Sequence, residues 1–373
     1  MTNTEQLPTS SKTLVLRRTV AVGGSTPAYH DAALQDRAIP PLQRGQVLVK
    51  INAAGFNARD LWLRLGLYGP GTEFDSPLGG DGAGVVIATA DADDPLLNQR
   101  VFLLPMRGWE KDPDAPESPE FSVIGGTKVH VGTFAQYAVV DRSDVIPTPE
   151  HLDDVHAAAW PISGLTAWRS AVVYGKVRQG DNVLITGIGG GVAVVALQIC
   201  LARGATVYVT SSSDENIRRA IELGAKAGVN YKGEDWIDQI AKKLEESGSK
   251  TGRTGKALLS TVIDCGGGDI MMKTGPILKS GGRVVLYAMT SPPYQTIYTP
   301  YHYSRCQQLC GVMMGSRQDL IDATNFIAEH SVVPHVSVVL DGLEEAEEGF
   351  KLMKTRQKFG KIVMKIHHDN ASE

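Results

Sequence analysis

The stretch that most constrains this chain is VLITGIGGGVAVVALQ, residues 183–198. A short β-branched run enters a glycine cluster, and an apolar helical run leaves it. Small residues at such a turn let backbone approach a pyrophosphate, and the free N–H groups of the following helix favour its negative charge. A glycine cluster alone says little, since a tight turn in a flavodoxin-like sheet would look similar. Here ATVYVTS (205–211) follows at the spacing of a second parallel strand, which gives the cluster its context. Gly187, Gly190, Gly191 and Val192 are therefore candidate cofactor contacts, and Ala193 still permits close helix–strand packing.

The alternation continues. A helix over SDENIRRAIELGA has Ser213 or Asp214 as its cap, and AGVNY, EDWIDQIAKKLEES, LLSTVIDCGG and GGRVVLYA follow in order. Strand and helix in turn at this spacing predict a doubly wound parallel sheet. The second strand ends in Ser211-Ser212-Ser213, where an acid would bind a ribose 2′-hydroxyl and repel a 2′-phosphate. Hydroxyls there, with Arg218 and Arg219 a turn further, favour NADP over NAD.

The first 150 residues have a different rhythm. GQVLVKINAAGF (45–56), GGDGAGVVIATA (79–90), RVFLLP (100–105) and GTFAQYAVVD (132–141) are short strands broken by Gly and Pro. Residues 107–132 read as a long surface loop carrying Trp109 and Phe121, and 151–177 as a helix. At the C-terminus, helices are expected over 317–330 and LEEAEEGFKLMKT, and strands over VVPHVSVVL and GKIVMKI.

Composition narrows the function classes. The 373 residues exceed one ordinary core and suggest two domains. A net charge of −4 without a Lys/Arg block gives no reason to expect nucleic acid or an anionic membrane as partner. The longest apolar run, from Val192 to Ala202, is interrupted by Gln198 and falls short of the ~20 residues of a membrane span. The first residues lack the apolar stretch of a signal peptide, so a cytoplasmic protein with free thiols is expected.

In order along residues 45–366, AAGFNARDLWLRLGLYG, GGDGAGVV, GTFAQYAVV, SGLTAW, GDNVLITGIGGGVAVVALQ, ELGA, LKSGGRVVLYA, GSRQDL and FGKIVMKI resemble the medium-chain dehydrogenase/reductase superfamily. They are closest in look to its zinc-free quinone-reductase and enoyl-reductase branches. The resemblance implies a GroES-like, partly open β-barrel catalytic domain over 1–162, completed by 314–373. A Rossmann domain over 163–313 lies between, and the active cleft is at their junction. It implies homodimers joined by sheet edges, with 281–300 as the expected edge.

By the same resemblance, the zinc ligands of metal-dependent members correspond to Asn57, Gly80 and about Ile162, none of which suits Zn²⁺. His302, Cys306 and Cys310 share a spacing that could line one helical face, with core thiols as the simpler reading. Asn57 stands at the metal-ligand position, and Tyr68 is placed to donate to a carbonyl or enolate oxygen. Asp60 reads as a cap or ion-pair partner. Thr166 is placed at the nicotinamide end, and Tyr231 and Lys361 at the cofactor phosphates. Related NADPH users carry a lysine where this chain has Asn216.

The expected activity is hydride transfer from NADPH, without zinc, to a small activated acceptor such as a quinone, enone or other α,β-unsaturated carbonyl. The alternatives are a trans-acting enoyl-thioester reductase and a non-catalytic NADPH-binding protein.

Overall fold

A computed structural model describes residues 7–19, 29–69, 71–91, 93–247, 257–290, 294–355 and 358–368. Six strands, Asn182–Ile185, Thr206–Ser211, Ala227–Asn230, Leu259–Asp264, Leu278–Leu286 and Gln308–Gly311, form one sheet. Every pairing in it is parallel, and the spatial order is third, second, first, fourth, fifth, sixth. That order reverses direction beside the first strand, the place where open α/β sheets bind ligands outside the strands' carboxyl ends. The helix Gly191–Ala202 is apolar on nearly all sides because it is packed on nearly all sides. The next helix, Asp214–Glu222, starts where the Ser213 hydroxyl accepts the Asn216 N–H, and it buries only Ile217 and Ala220.

The second sheet is built around Gln46–Gly55, which pairs antiparallel with Asp81–Thr89, Tyr137–Asp141 and Lys361–Lys365. Arg100–Leu103 and Val145–Pro147 extend it on one side, and Val336–Asp341 on the other. Phe56, leaving the central strand, packs against Phe134 and Phe350 with ring centroids 4.7 and 5.3 Å away. The GroES-like barrel and the doubly wound sheet are thus both present, and the last strand of the chain returns to complete the first sheet.

Three expectations need correction, and one element was not expected. The helix expected over 151–177 is three pieces, Asp154–Ala158, Pro161–Trp168 and a wide turn over Arg169–Tyr174, because Pro161 restarts the helix at its first turn. His302, Cys306 and Cys310 share no helical face. Pro300–Tyr303 is a single turn, Cys306 takes φ +53° and is exposed, and Cys310 lies in a strand. The edge strands of the sheet are Ala227–Asn230 and Gln308–Gly311, whereas Leu278–Leu286 is paired on both sides. An N-terminal hairpin, Ser10–Arg17 with Asp31–Ala38, went unanticipated because its second strand, DAALQDRA, alternates without β-branched residues. Among the described residues, no helix is long and apolar enough to cross a membrane.

Candidate active site

The kink after the central strand is held by its own side chains. Asn57 is extended, with φ −130° and ψ 157°, and caps the helix Ala58–Arg64. Its N–H donates to Asp60 Oδ2 at 2.8 Å. Asp60 has no exposed surface, and burial, only partly offset by the Arg59 guanidinium, pushes its carboxyl up to about 6. Arg59 is itself buried, donating to the Ile124 and Gly125 carbonyls at 2.9 and 2.7 Å and lying 4.7 Å above the Tyr68 ring.

The antiparallel register then delivers the key contact. Val363 faces Gly55, so Lys361 falls beside Asn57, while Asp81 faces Gly55 from the other neighbour. Lys361 Nζ donates to Asn57 Oδ1 at 2.7 Å and to Asp81 Oδ2 at 2.8 Å. Asn57 Nδ2 closes the triangle on Asp81 Oδ2 at 2.9 Å, and the other carboxylate oxygen accepts the Ile162 N–H at 2.9 Å. All three side chains are buried. Gly80 lies beside them, and a Cβ there would push on the tip of Ile162, 2.8 Å from its Cδ1.

Lys361 also ties this cluster to the glycine-rich turn. Its stem runs so close to Gly191 that a Cβ on that residue would meet Lys361 Cδ at 2.7 Å. Gly187 and Gly189 take φ of +62° and +136°, which only glycine adopts freely. Gly190 differs. Its φ is −73°, and a Cβ would meet nothing within 4 Å, so the turn leaves open space in front of the helix N-terminus. No side chain caps that helix. Val192 follows, half-buried.

The remaining candidates separate. Ser211 is buried, and its hydroxyl accepts the Ser213 N–H at 3.2 Å, while Ser212 is exposed beside it. Tyr231 is exposed and reaches the same place through its backbone, donating to Ser211 O at 3.1 Å. Arg218 forks onto Glu215, at 2.6 Å, and onto Glu222, and Arg219 bonds Glu215 at 2.8 Å. Both guanidiniums therefore have acid partners on their own helix. Thr166 is buried with its hydroxyl on Ile162 O at 2.7 Å, a bond inside its own helix. The structure thus gathers Asn57, Lys361 and Gly191, sets Tyr68 behind Arg59, and engages Arg218 elsewhere.

Sequence reading missed Asp81 and Arg59. An acid set among the glycines of GGDGAG, where strands rarely bury charge, was the available signal for Asp81. Arg59 had none, because nothing local shows that carbonyls from a distant loop await it.

A cavity of about 630 Å³ opens at the carboxyl ends of Leu278–Leu286 and Gln308–Gly311, lined among others by Trp109, Tyr174, Tyr287, Met289 and Met313. Arg169 also lines it, with its guanidinium on Asp319 Oδ2 at 2.7 Å and Pro113 O at 2.6 Å, stacked 4.5 Å over Trp109. The 107–132 loop is thereby pinned as one wall. Ile162, bonded to Asp81, and Arg169, in the cavity wall, are seven residues apart in consecutive helical segments. Among the described residues, no group of three or more His, Cys, Asp or Glu is placed to hold a metal ion.

Comparison with known proteins agrees with this layout. Residues 43–150 match the alcohol dehydrogenase GroES-like domain family, and residues 191–329 the zinc-binding dehydrogenase family. The zinc-type alcohol dehydrogenase-like protein YogA of Leptosphaeria maculans is 38% identical over 367 residues, spanning 95% of this chain and 99% of that protein. Human quinone oxidoreductase is 28% identical over 252 residues, 67% of each chain. A crystal structure of an NAD-dependent alcohol dehydrogenase superposes with a TM-score of 0.80 at 30% identity, covering 95% of this chain and all of that one.

Proposed function

We propose a function from one premise: this chain belongs to the medium-chain dehydrogenase/reductase superfamily of oxidoreductases. The reading is an NADP(H)-dependent reductase that works without zinc and acts on a quinone, enone or other α,β-unsaturated carbonyl. The observation that carries it is the buried Lys361–Asp81–Asn57 cluster at the kink.

Catalytic zinc takes three His, Cys or carboxylate ligands and keeps one open position. Here both ends of the Asn57 amide are engaged, Gly80 has no side chain to offer, and an ammonium lies 2.8 Å from Asp81. That donor set does not fit Zn²⁺, and a dication there would compete with the lysine it displaces. A dinucleotide fits better. The space before Gly190, the uncapped helix N-terminus and the acid-free Ser211-Ser212-Ser213 end of the second strand suit a pyrophosphate and a 2′-phosphate.

Bound in that crevice, reduced nicotinamide supplies a hydride. The chain's part is to receive the charge that builds on the acceptor's oxygen. Lys361 keeps one N–H beyond the two given to Asn57 and Asp81, the Asn57 amide is held in one orientation by those partners, and Tyr68 carries a hydroxyl for which the described residues show no hydrogen bond. Donors fixed in a water-poor site stabilise such charge without reorganising. A conjugated carbonyl needs only that, whereas a plain alcohol needs its hydroxyl acidified. The aromatic and methionine-lined cavity, with the Arg169 charge already neutralised by Asp319, suits an uncharged acceptor better than a phosphate-bearing thioester.

The test is NADPH oxidation followed at 340 nm across quinones, short enones and enoyl thioesters, with metal content measured on the same preparation. Turnover of quinones or enones by zinc-free protein is expected. Stoichiometric zinc, or tight NADPH binding without turnover of any acceptor, would overturn the reading.

A further inference from the structure

If NADP(H) is the cofactor, as proposed above, a cation beside its phosphates would add to the helix N-terminus and the serine hydroxyls, and among the described residues Lys361, Arg218 and Arg219 already have partners. Lys361 gives two of its three N–H to Asn57 and Asp81 and is placed at the kink rather than at the phosphates. Arg218 and Arg219 are bound to Glu215 and Glu222 on the outside of their helix. Asn216 is neutral, and its side chain lies over the glycine turn: a Cβ on Gly189 would be 2.4 Å from Asn216 Nδ2.

The same amide points to the next place to look. Asn216 Nδ2 donates to Lys358 O at 3.5 Å, and the Gly360 N–H donates to Gly189 O at 2.9 Å. Residues 358–360 are therefore laid directly on the phosphate-binding turn. Lys358 differs from Lys361, Arg218 and Arg219. Its amine is turned inward onto the Met353 thioether, with no carboxylate bonded to it among the described contacts. The charges that act on it are Lys361, which repels it, and Asp60, which attracts it. A buried amine without an acid partner is costly, and rotation of its flexible four-carbon stem would carry it roughly 6 Å from its own backbone. That backbone already touches the turn.

We propose that Lys358 is the residue that grips the phosphate groups of the dinucleotide, the C-terminal segment supplying the cation that the helix Asp214–Glu222 lacks. In the free protein the amine is sheltered against Met353, and in the bound state it turns to the anion. This placement has a proton signature. Burial, reinforced by Lys361, brings the free amine down to about 7, whereas an amine paired with phosphate stays charged. At pH 8 the free amine is mostly neutral, so binding takes up about 0.9 proton.

The experiment is isothermal titration of the full-length protein with 2′,5′-ADP and with 5′-ADP at pH 8, in two buffers of different ionisation enthalpy. Wild-type protein is expected to bind with proton uptake. Lys358→Met is expected to bind about 10- to 100-fold more weakly and without uptake, the loss of one charge-assisted contact. Lys358→Arg keeps the affinity but not the uptake, because a guanidinium is already protonated. A loss confined to 2′,5′-ADP assigns Lys358 to the 2′-phosphate, a loss confined to 5′-ADP to the outer phosphate of the pyrophosphate, and a loss on both to the 5′-phosphate they share. Wild-type affinity and uptake in Lys358→Met, with its urea midpoint intact, would overturn the proposal and leave the cofactor reading standing. Failure of the wild-type protein to bind either nucleotide would overturn the cofactor reading and this one with it.

Discussion

Replacing Lys361 by methionine tests the cluster on which the site is built. The change keeps the length of the stem along Gly191 and removes only the ammonium. At 2.8 Å from Asp81, and at an effective dielectric near 20, the lost attraction is about 6 kcal/mol before desolvation is counted. Both side chains are buried, so the ammonium no longer has to be desolvated, and the net cost falls to about 3–5 kcal/mol, mostly that of a stranded carboxylate. Asp81 keeps the Asn57 and Ile162 donors at 2.9 Å, which argues for the lower end of that range. Changing Asp81 to asparagine as well removes the stranded charge, so the double variant should be more stable than the sum of the single changes predicts. Urea unfolding of wild type, Lys361→Met, Asp81→Asn and the double variant gives the coupling as a cycle, expected at about 2 kcal/mol or more. Additive single effects, or a Lys361→Met protein as stable as wild type, would refute the ion pair and with it the cationic donor of the proposed mechanism.

Three further outcomes follow from the geometry. Gly190→Val should leave the urea midpoint nearly unchanged, because its Cβ enters open space at an ordinary φ, yet weaken NADPH binding by tenfold or more by filling the cradle; Gly189→Ala should instead destabilise the fold, through its φ of +136° and its contact with Asn216. Asp60 carries a pH dependence: its folded pKa of about 6 lies above the ordinary 3.8, so the folded chain holds a proton that the unfolded chain has released between those values. Stability therefore falls as pH rises from about 4 to 6, by up to about 3 kcal/mol, and Asp60→Asn should flatten that fall in urea midpoints taken at pH 4, 5, 6 and 7. Identical slopes in the two proteins would count against a buried, proton-holding Asp60.

The glycine-rich turn, the alternating region behind it and the kink at Asn57 were legible because each is local. A strand needs its β-branched run, a left-handed turn needs its glycines and a cap needs its polar side chain, all within a few residues. The same locality explains what misled. Arg218 suits a phosphate by position, and what position alone did not show is that Glu215 and Glu222, three and four residues away on the same helix, pair with it. His302, Cys306 and Cys310 matched a helical spacing on a segment that forms a single turn and then a strand.

The sequence by itself determined two β-containing units, where a dinucleotide would lie, and which residue types were missing from the expected metal position. Only the tertiary structure decided what stands there instead. Lys361 is 304 residues from Asn57 and 280 from Asp81. It meets them because the last strand pairs antiparallel with the first sheet's central strand in a register that sets Val363 opposite Gly55. Register between distant strands is chosen by packing over the whole sheet, and a slip of one residue would turn Lys361 to the opposite face. No pattern local to FGKIVMKI could state that choice, so the residue met in the sequence as a phosphate contact emerges from the fold as the partner of Asn57 and Asp81.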